Sequence, residues 1–156
     1  MSLKKRLIIL LSSALLLTAC GGKGPQEKDF YSMTRDDNGG IMWLGMTLEE
    51  QRAATGWQGN NKEVRLKFRD NLLVSMTSVV TYFHPLGVTY DMAPADLSAY
   101  FAKDPAVTVT QGPNLLTAAK IIDGTQYFMR FVIYDDGTIK EITQAVDLTL
   151  DPPQYP

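Results

Sequence analysis

Between Val64 and Arg69 apolar and basic residues alternate, with Val64, Leu66 and Phe68 on one side and Arg65, Lys67 and Arg69 on the other. A period of two is that of a strand with one buried face. Asp70-Asn71 then supplies residues that tolerate positive φ in a tight turn, and Leu72, Val74, Met76, Val80 and Tyr82 continue the alternation on the way back. The stretch therefore predicts a hairpin. Upstream the period is different. Ile41-Met42-Trp43-Leu44 predicts a short first strand, and Thr47-Leu48-Glu49-Glu50 opens a helix. Thr47 can cap the first amides, Glu50 can reach back to it, and both acids sit where the helix dipole favours negative charge. Gly56 supplies the stop, so the helix runs from about Leu48 to Thr55.

The second half repeats the theme with more strands. Pro94 is placed to be a first helical residue, and Asp96, Leu97, Tyr100 and Phe101 carry a helix that stops before Pro105. Strands are predicted at Ala106 to Thr110, Thr117 to Ile122, Gln126 to Tyr134 and Thr138 to Leu150. Asp136-Gly137 joins the last two as a hairpin turn. The expected fold is α+β: two short helices on one mainly antiparallel sheet of about six strands. Val64, Leu66, Phe68, Val74, Tyr127, Phe131, Ile142 and Val146 are its expected core. Laid side by side, the halves read as a tandem helix-plus-hairpin repeat, Gly45-Met46-Thr47-Leu48-Glu49-Glu50 matching Asp91-Met92-Ala93-Pro94-Ala95-Asp96. Two short amphipathic units can also match by chance. The second unit is longer, with 44 positions from Met92 to Asp136 against 24 from Met46 to Asp70.

The N-terminus changes the picture. Lys4-Lys5-Arg6 is followed by an apolar run from Leu7 to Leu17, too short for a stable membrane span, and then by Leu17-Thr18-Ala19-Cys20. This tetrapeptide resembles a bacterial lipobox. The resemblance implies a signal peptide over residues 1–19 and a Cys20 that carries lipid after cleavage. Two or three acyl chains would make the membrane attachment practically permanent. Gly21 stands where enteric lipoproteins retained in the inner membrane carry aspartate, so the implied location is the outer membrane, facing the periplasm. Residues 20–40, rich in Gly, Pro, Lys, Asp and Asn, then read as the lipidated N-terminus and a flexible leash. Residues 41–151 read as a single domain, and 152–156, with its prolines, as a tail that cannot join a sheet interior.

Composition narrows the chemistry. The formal charge of −2 becomes −5 once Lys4, Lys5 and Arg6 are removed, which argues against nucleic-acid binding. The one cysteine is the lipid site, so packing without a disulfide must hold the fold. His84 is the only histidine; placed at a strand end before Pro85, it reads as a surface or edge residue. With no second His or Cys, no zinc set can be completed. Asp36-Asp37-Asn38 and Asp135-Asp136-Gly137 lack calcium-loop spacing and read as turns. No cofactor motif is present, and Gly21-Gly22-Lys23-Gly24 follows no strand, unlike a phosphate loop. The expected catalytic set is empty.

Leu44-Gly45-Met46-Thr47-Leu48-Glu49-Glu50-Gln51 is similar to the helix-opening motif of small outer-membrane assembly lipoproteins. The doubled helix-plus-sheet unit also resembles the β-lactamase inhibitor protein fold. The chain departs from the pattern where Ala93-Pro94 replaces the Thr cap and where the second unit adds strands, and no functional residue carries over. Two features suit recognition: the basic stripe Arg65, Lys67, Arg69, and aromatics such as Trp43 and Trp57, a residue type enriched at interface centres. The expectation is a non-enzymatic, lipid-anchored protein that binds a periplasmic protein partner, most concretely an immunity or inhibitor lipoprotein against a toxin or hydrolase. The alternatives are an accessory subunit of an outer-membrane assembly machine and an envelope hydrolase.

Overall fold

The computed structural model describes residues 23–37, 39–56 and 62–154. The lipobox with Cys20, and Trp57, lie outside the described residues. In chain order a 3-10 turn at Glu27–Phe30 leads to β1 (Ser32–Arg35), β2 (Ile41–Trp43), α1 (Leu48–Thr55), β3 (Val64–Arg69), β4 (Leu72–Ser78) and β5 (Phe83–Pro85). Then come α2 (Pro94–Phe101), β6 (Thr108–Gln111), β7 (Leu115–Ile122), β8 (Thr125–Ile133), β9 (Ile139–Ala145) and a second 3-10 turn at Leu148–Leu150. The fold is mixed α+β and mostly sheet. Its strands form two antiparallel sheets, ordered β2-β1-β5 and β3-β4-β9-β8-β7-β6.

Both helix signals act as read. Thr47 Oγ1 accepts from the Glu50 amide at 3.2 Å while Glu50 Oε2 accepts from the Thr47 amide at 2.7 Å, and Gly56 closes α1 at φ +70°. Pro94 is the first residue of α2, which buries Leu97 and Phe101. The Asp70-Asn71 turn has φ of 51° and 63°, the doubly positive geometry that matches strand twist in a two-residue hairpin.

Four expectations are corrected. The six-stranded sheet is joined by a second, three-stranded one, because part of the expected leash folds. Glu27–Phe30 forms a turn and Ser32–Arg35 is the central strand of the small sheet, with Phe30 and Met33 fully buried. The return strand of the hairpin does not keep its alternation. Lys67 pairs with Ser75 and Phe68 with Leu73, so Val74 is an extra residue in β4. This bulge shifts the parity: Leu73 and Met76 are buried, Leu72 is exposed and Val74 is only half-buried. Val64, Leu66, Phe131 and Ile142 do lie in the core, with Phe68, Tyr127 and Val146 packed partly buried against it. The expected last strand ends at Ala145, after which Asp147 caps a 3-10 turn. Finally His84 lies in β5, at an edge of the small sheet as expected, but is buried rather than on the surface.

The core lies on one face of the large sheet, under α2 and the small sheet. Phe101 of α2 meets Phe131 of β8 and Phe30, each with ring centroids 5.9 Å apart. Gln144 of β9 donates from its side chain to the carbonyls of Asp29 and Ser32, tying the small sheet to the large one. Tertiary burial rather than propensity holds helices this short.

Candidate functional site

The other face of the large sheet is polar. Strand registers place Arg65, Thr77, Thr143, Arg130, Thr117 and Thr110 side by side in one row across all six strands. Glu141, two residues before Thr143, shares that face. Asp151 arrives over it from the C-terminal segment. Arg65 Nη2 donates to Glu141 Oε2 at 2.9 Å and Arg65 Nε to Asp151 Oδ1 at 3.2 Å. Arg130 Nη2 lies 3.6 Å from Glu141 Oε1 and donates to the Asp151 carbonyl, while Thr77 donates to the Asp151 carboxylate and pairs with Thr143 at 2.9 Å. Burial opposes the charge on Arg65, yet Glu141 and Asp151 more than offset it, so its pKa is raised above the ordinary value.

Two guanidinium groups and two carboxylates thus balance in a cluster where Glu141, Arg130 and Asp151 are buried. Both carboxylates are engaged by arginine, so the cluster fastens the C-terminal segment to the sheet. Of the basic stripe, this takes Arg65 out of the exposed face. Arg65 points into the cluster, while Lys67 and Arg69 are exposed as expected, Arg69 pairing with Asp147 at 3.2 Å. Sequence reasoning passed over Arg130, Glu141 and Asp151. The available signal for the first two was charge set inside strands, Arg130 alone in Tyr127-Phe128-Met129-Arg130-Phe131-Val132 and Glu141 beside Lys140 in Ile139-Lys140-Glu141-Ile142.

His84 is similarly committed. Nδ1 lies 2.7 Å from the Pro85 carbonyl and Nε2 3.2 Å from Asp36 Oδ1, so both ring nitrogens have a partner within the fold. Among the described residues no group of three or more His, Cys, Asp or Glu side chains is placed to hold a metal ion. A cavity of about 350 Å³ is lined by Lys23, Lys28, Asp29, Gly87 and Tyr100. Its carboxylate is held by Tyr100 Oη at 2.7 Å and the Gln26 amide at 2.8 Å. Burial, then the bond to Asp29, raises the Tyr100 pKa. Gly87 makes room for this pair: a Cβ there would lie 1.9 Å from Tyr100 Oη.

Exposed apolar surface is found elsewhere. Ile41 and Trp43 point away from the core on β2, flanking the buried Met42, and stay 42% and 39% exposed. The Gly45 amide donates to the Leu73 carbonyl at 2.7 Å and the Leu73 amide to the Met46 carbonyl at 2.8 Å. These bonds bring the segment after Trp43 to the start of β4, where Leu72 is 44% exposed. Of the residues expected to bind a partner, Trp43, Lys67 and Arg69 are thus set at the surface, and Arg65 is drawn into the buried cluster.

A second surface is the β6 edge of the large sheet. All four residues of β6 are exposed, and among the described residues β6 pairs only with β7. Beside its end lies a cavity of about 310 Å³ lined by Gln111, Pro113, Asn114, Tyr134 and Asp135, among others.

Neither a family model nor any curated protein matches the chain. Among solved structures, the chain is similar to a DUF4309 family protein, YjgB, from Bacillus subtilis subsp. subtilis str. 168, with 16% identity, 65% of this chain and 78% of that one covered, and a TM-score of 0.41.

Proposed function

We propose that the chain is a lipid-anchored envelope protein, held in the outer membrane through Cys20, whose domain binds a protein partner in the periplasm. The observation that carries this reading is the exposed trio Ile41, Trp43 and Leu72, because large apolar and aromatic side chains left in water are characteristic of interface centres. Its most concrete form is an immunity or inhibitor lipoprotein that blocks a toxin or hydrolase. The formal charge of −5 after removal of the basic N-terminal residues favours a basic target. The tandem origin of the two halves belongs to the same reading: α1 leads into β3 and β4, α2 into β6 to β9, and both strand sets share one sheet.

The test is a pull-down with the chain from residue 21, unlipidated, against envelope extract and secreted protein, in parallel with Trp43→Ala. A stoichiometric partner whose enzymatic activity falls on binding, and which Trp43→Ala releases, is the expected result. No partner, together with turnover of a peptidoglycan or lipid substrate that is lost in His84→Ala, would replace this reading with a hydrolase.

A further inference from the structure

We propose that β6 is the docking site for an extended segment of a partner protein, which adds to the large sheet as a seventh strand and sets a lysine or arginine side chain in the cavity beside Tyr134 and Asp135. The proposal rests on the reading of the chain as a protein-binding module. It does not rest on the Trp43 surface, which lies near β3 and β4 at the opposite end of the sheet, about five strand spacings or 24 Å away.

The backbone geometry comes first. The Gly112 amide donates to the Leu115 carbonyl at 2.8 Å, so Gly112 and Leu115 are a hydrogen-bonded pair. In an antiparallel ladder such pairs alternate with unbonded ones, so Thr110 and Thr108 turn their main-chain groups toward β7 while Val109 and Gln111 turn theirs outward. Natural sheets blunt an open edge with shortness, Lys, Pro or a bulge, and at four residues β6 is short, which limits it to a short added segment. Thr108-Val109-Thr110-Gln111 carries no Lys, Pro or bulge, and its β-branched residues suit added strand pairing.

Two residues offer only four outward main-chain groups, too few to hold a segment without a side-chain anchor. The adjacent cavity provides it. Gln111 both ends the edge and lines the cavity, so a segment running past it reaches the cavity directly. The cavity wall contains one charged residue, Asp135, with Asp136 next in the chain and no cationic residue in the lining. Lys140 Nζ stands 5.4 Å from the Tyr134 ring centroid, so the ring already serves as a cation surface. An acidic, aromatic-walled cavity selects a basic side chain. A second copy of this chain fits poorly: self-pairing centred on Thr110 would set Thr108 against Gly112 and carry Pro105 and the acidic Asp104 toward Asp135.

The experiment uses the full chain expressed in cells, with a photoreactive residue at Gln111 and the cross-linked peptide sequenced. The expected product joins Gln111 to a partner segment with Lys or Arg within a few residues of the link. Val109→Pro removes only an outward N–H and should cut the adduct about tenfold. Val109→Lys, which charges the edge without touching the ladder, should do the same should the proline variant misfold. Asp135→Lys should cut it several-fold by repelling the basic side chain. Capture of a partner by the Trp43 surface without an adduct at Gln111 would overturn this proposal and leave the protein-binding reading standing; absence of both would remove both. An adduct to another copy of this chain, to a segment lacking Lys and Arg, or one indifferent to these variants also overturns it.

Discussion

Glu141→Gln removes one negative charge from a buried cluster while keeping the shape of the side chain. Glu141 is 1% exposed, accepts from Arg65 at 2.9 Å and faces Arg130 at 3.6 Å. With glutamine in its place two guanidinium groups share the single carboxylate of Asp151. Removing one partner of a buried ion pair costs about 3 to 5 kcal/mol, and the remaining contact to Asp151 together with partial solvent access at Arg65 places this variant near 3 kcal/mol. That is a large share of the roughly 5 to 15 kcal/mol that holds a domain together. With a urea m-value of about 2 kcal/mol/M, the unfolding midpoint should fall by about 1.5 M. The assay is urea titration of the chain from residue 21 at neutral pH, followed by far-ultraviolet circular dichroism. Arg69→Ala is the control: it breaks an ion pair on the same strand whose arginine is 54% exposed, and should leave the midpoint nearly unchanged. A Glu141→Gln midpoint close to wild type, or an equal loss in Arg69→Ala, would show that burial of the cluster does not fasten the C-terminal segment.

Further predictions concern other parts of the chain. Burial raises the phenol pKa of Tyr90 and of Tyr100, the latter helped by Asp29, so the folded state holds these protons more tightly than the unfolded state does. The resulting stability is complete below the ordinary tyrosine pKa of about 10 and is lost as pH climbs above it; urea midpoints should be level to that pH and then drop, less steeply in Tyr100→Phe, and an unchanged slope in that variant would contradict the assignment. Gly87→Ala should break the Tyr100–Asp29 hydrogen bond, since the new Cβ would lie 2.7 Å from Asp29 Oδ2 as well as against Tyr100 Oη; a cost of about 1 to 3 kcal/mol is expected as a lower thermal midpoint, and wild-type melting would count against the packing described. Cys20→Ala should abolish labelling by a palmitate analogue and leave the precursor uncleaved, whereas release of unlabelled mature protein into the periplasm would remove the lipoprotein reading.

Local signals were legible without a structure. The capping box at Thr47 and Glu50, the glycine stop at Gly56, the proline start at Pro94 and the Asp70-Asn71 turn each act within a few residues, and each forms as its residues dictate. Alternation likewise marked Val64, Leu66, Phe131 and Ile142 as core. What failed depended on partners distant in sequence. The bulge at Val74 arises from the register between β3 and β4, and a one-residue shift exchanges which side chains face the core. The polar leash became a strand because β1 finds β2 on one side and β5, some fifty residues later, on the other. Arg65 read as a surface charge because its two carboxylates, Glu141 and Asp151, lie 76 and 86 positions away. The open edge at β6 is also a property of the assembled sheet, since no residue of Thr108–Gln111 records that five strands pair beyond it and that none of the described strands covers its other side. Sequence by itself determined the helices, the tight turns and most of the core, because those depend on torsion preferences and periodicity. Tertiary structure alone decided which charges are buried and which edge stays free, because burial and strand neighbours are set by contacts between segments that the linear order keeps apart.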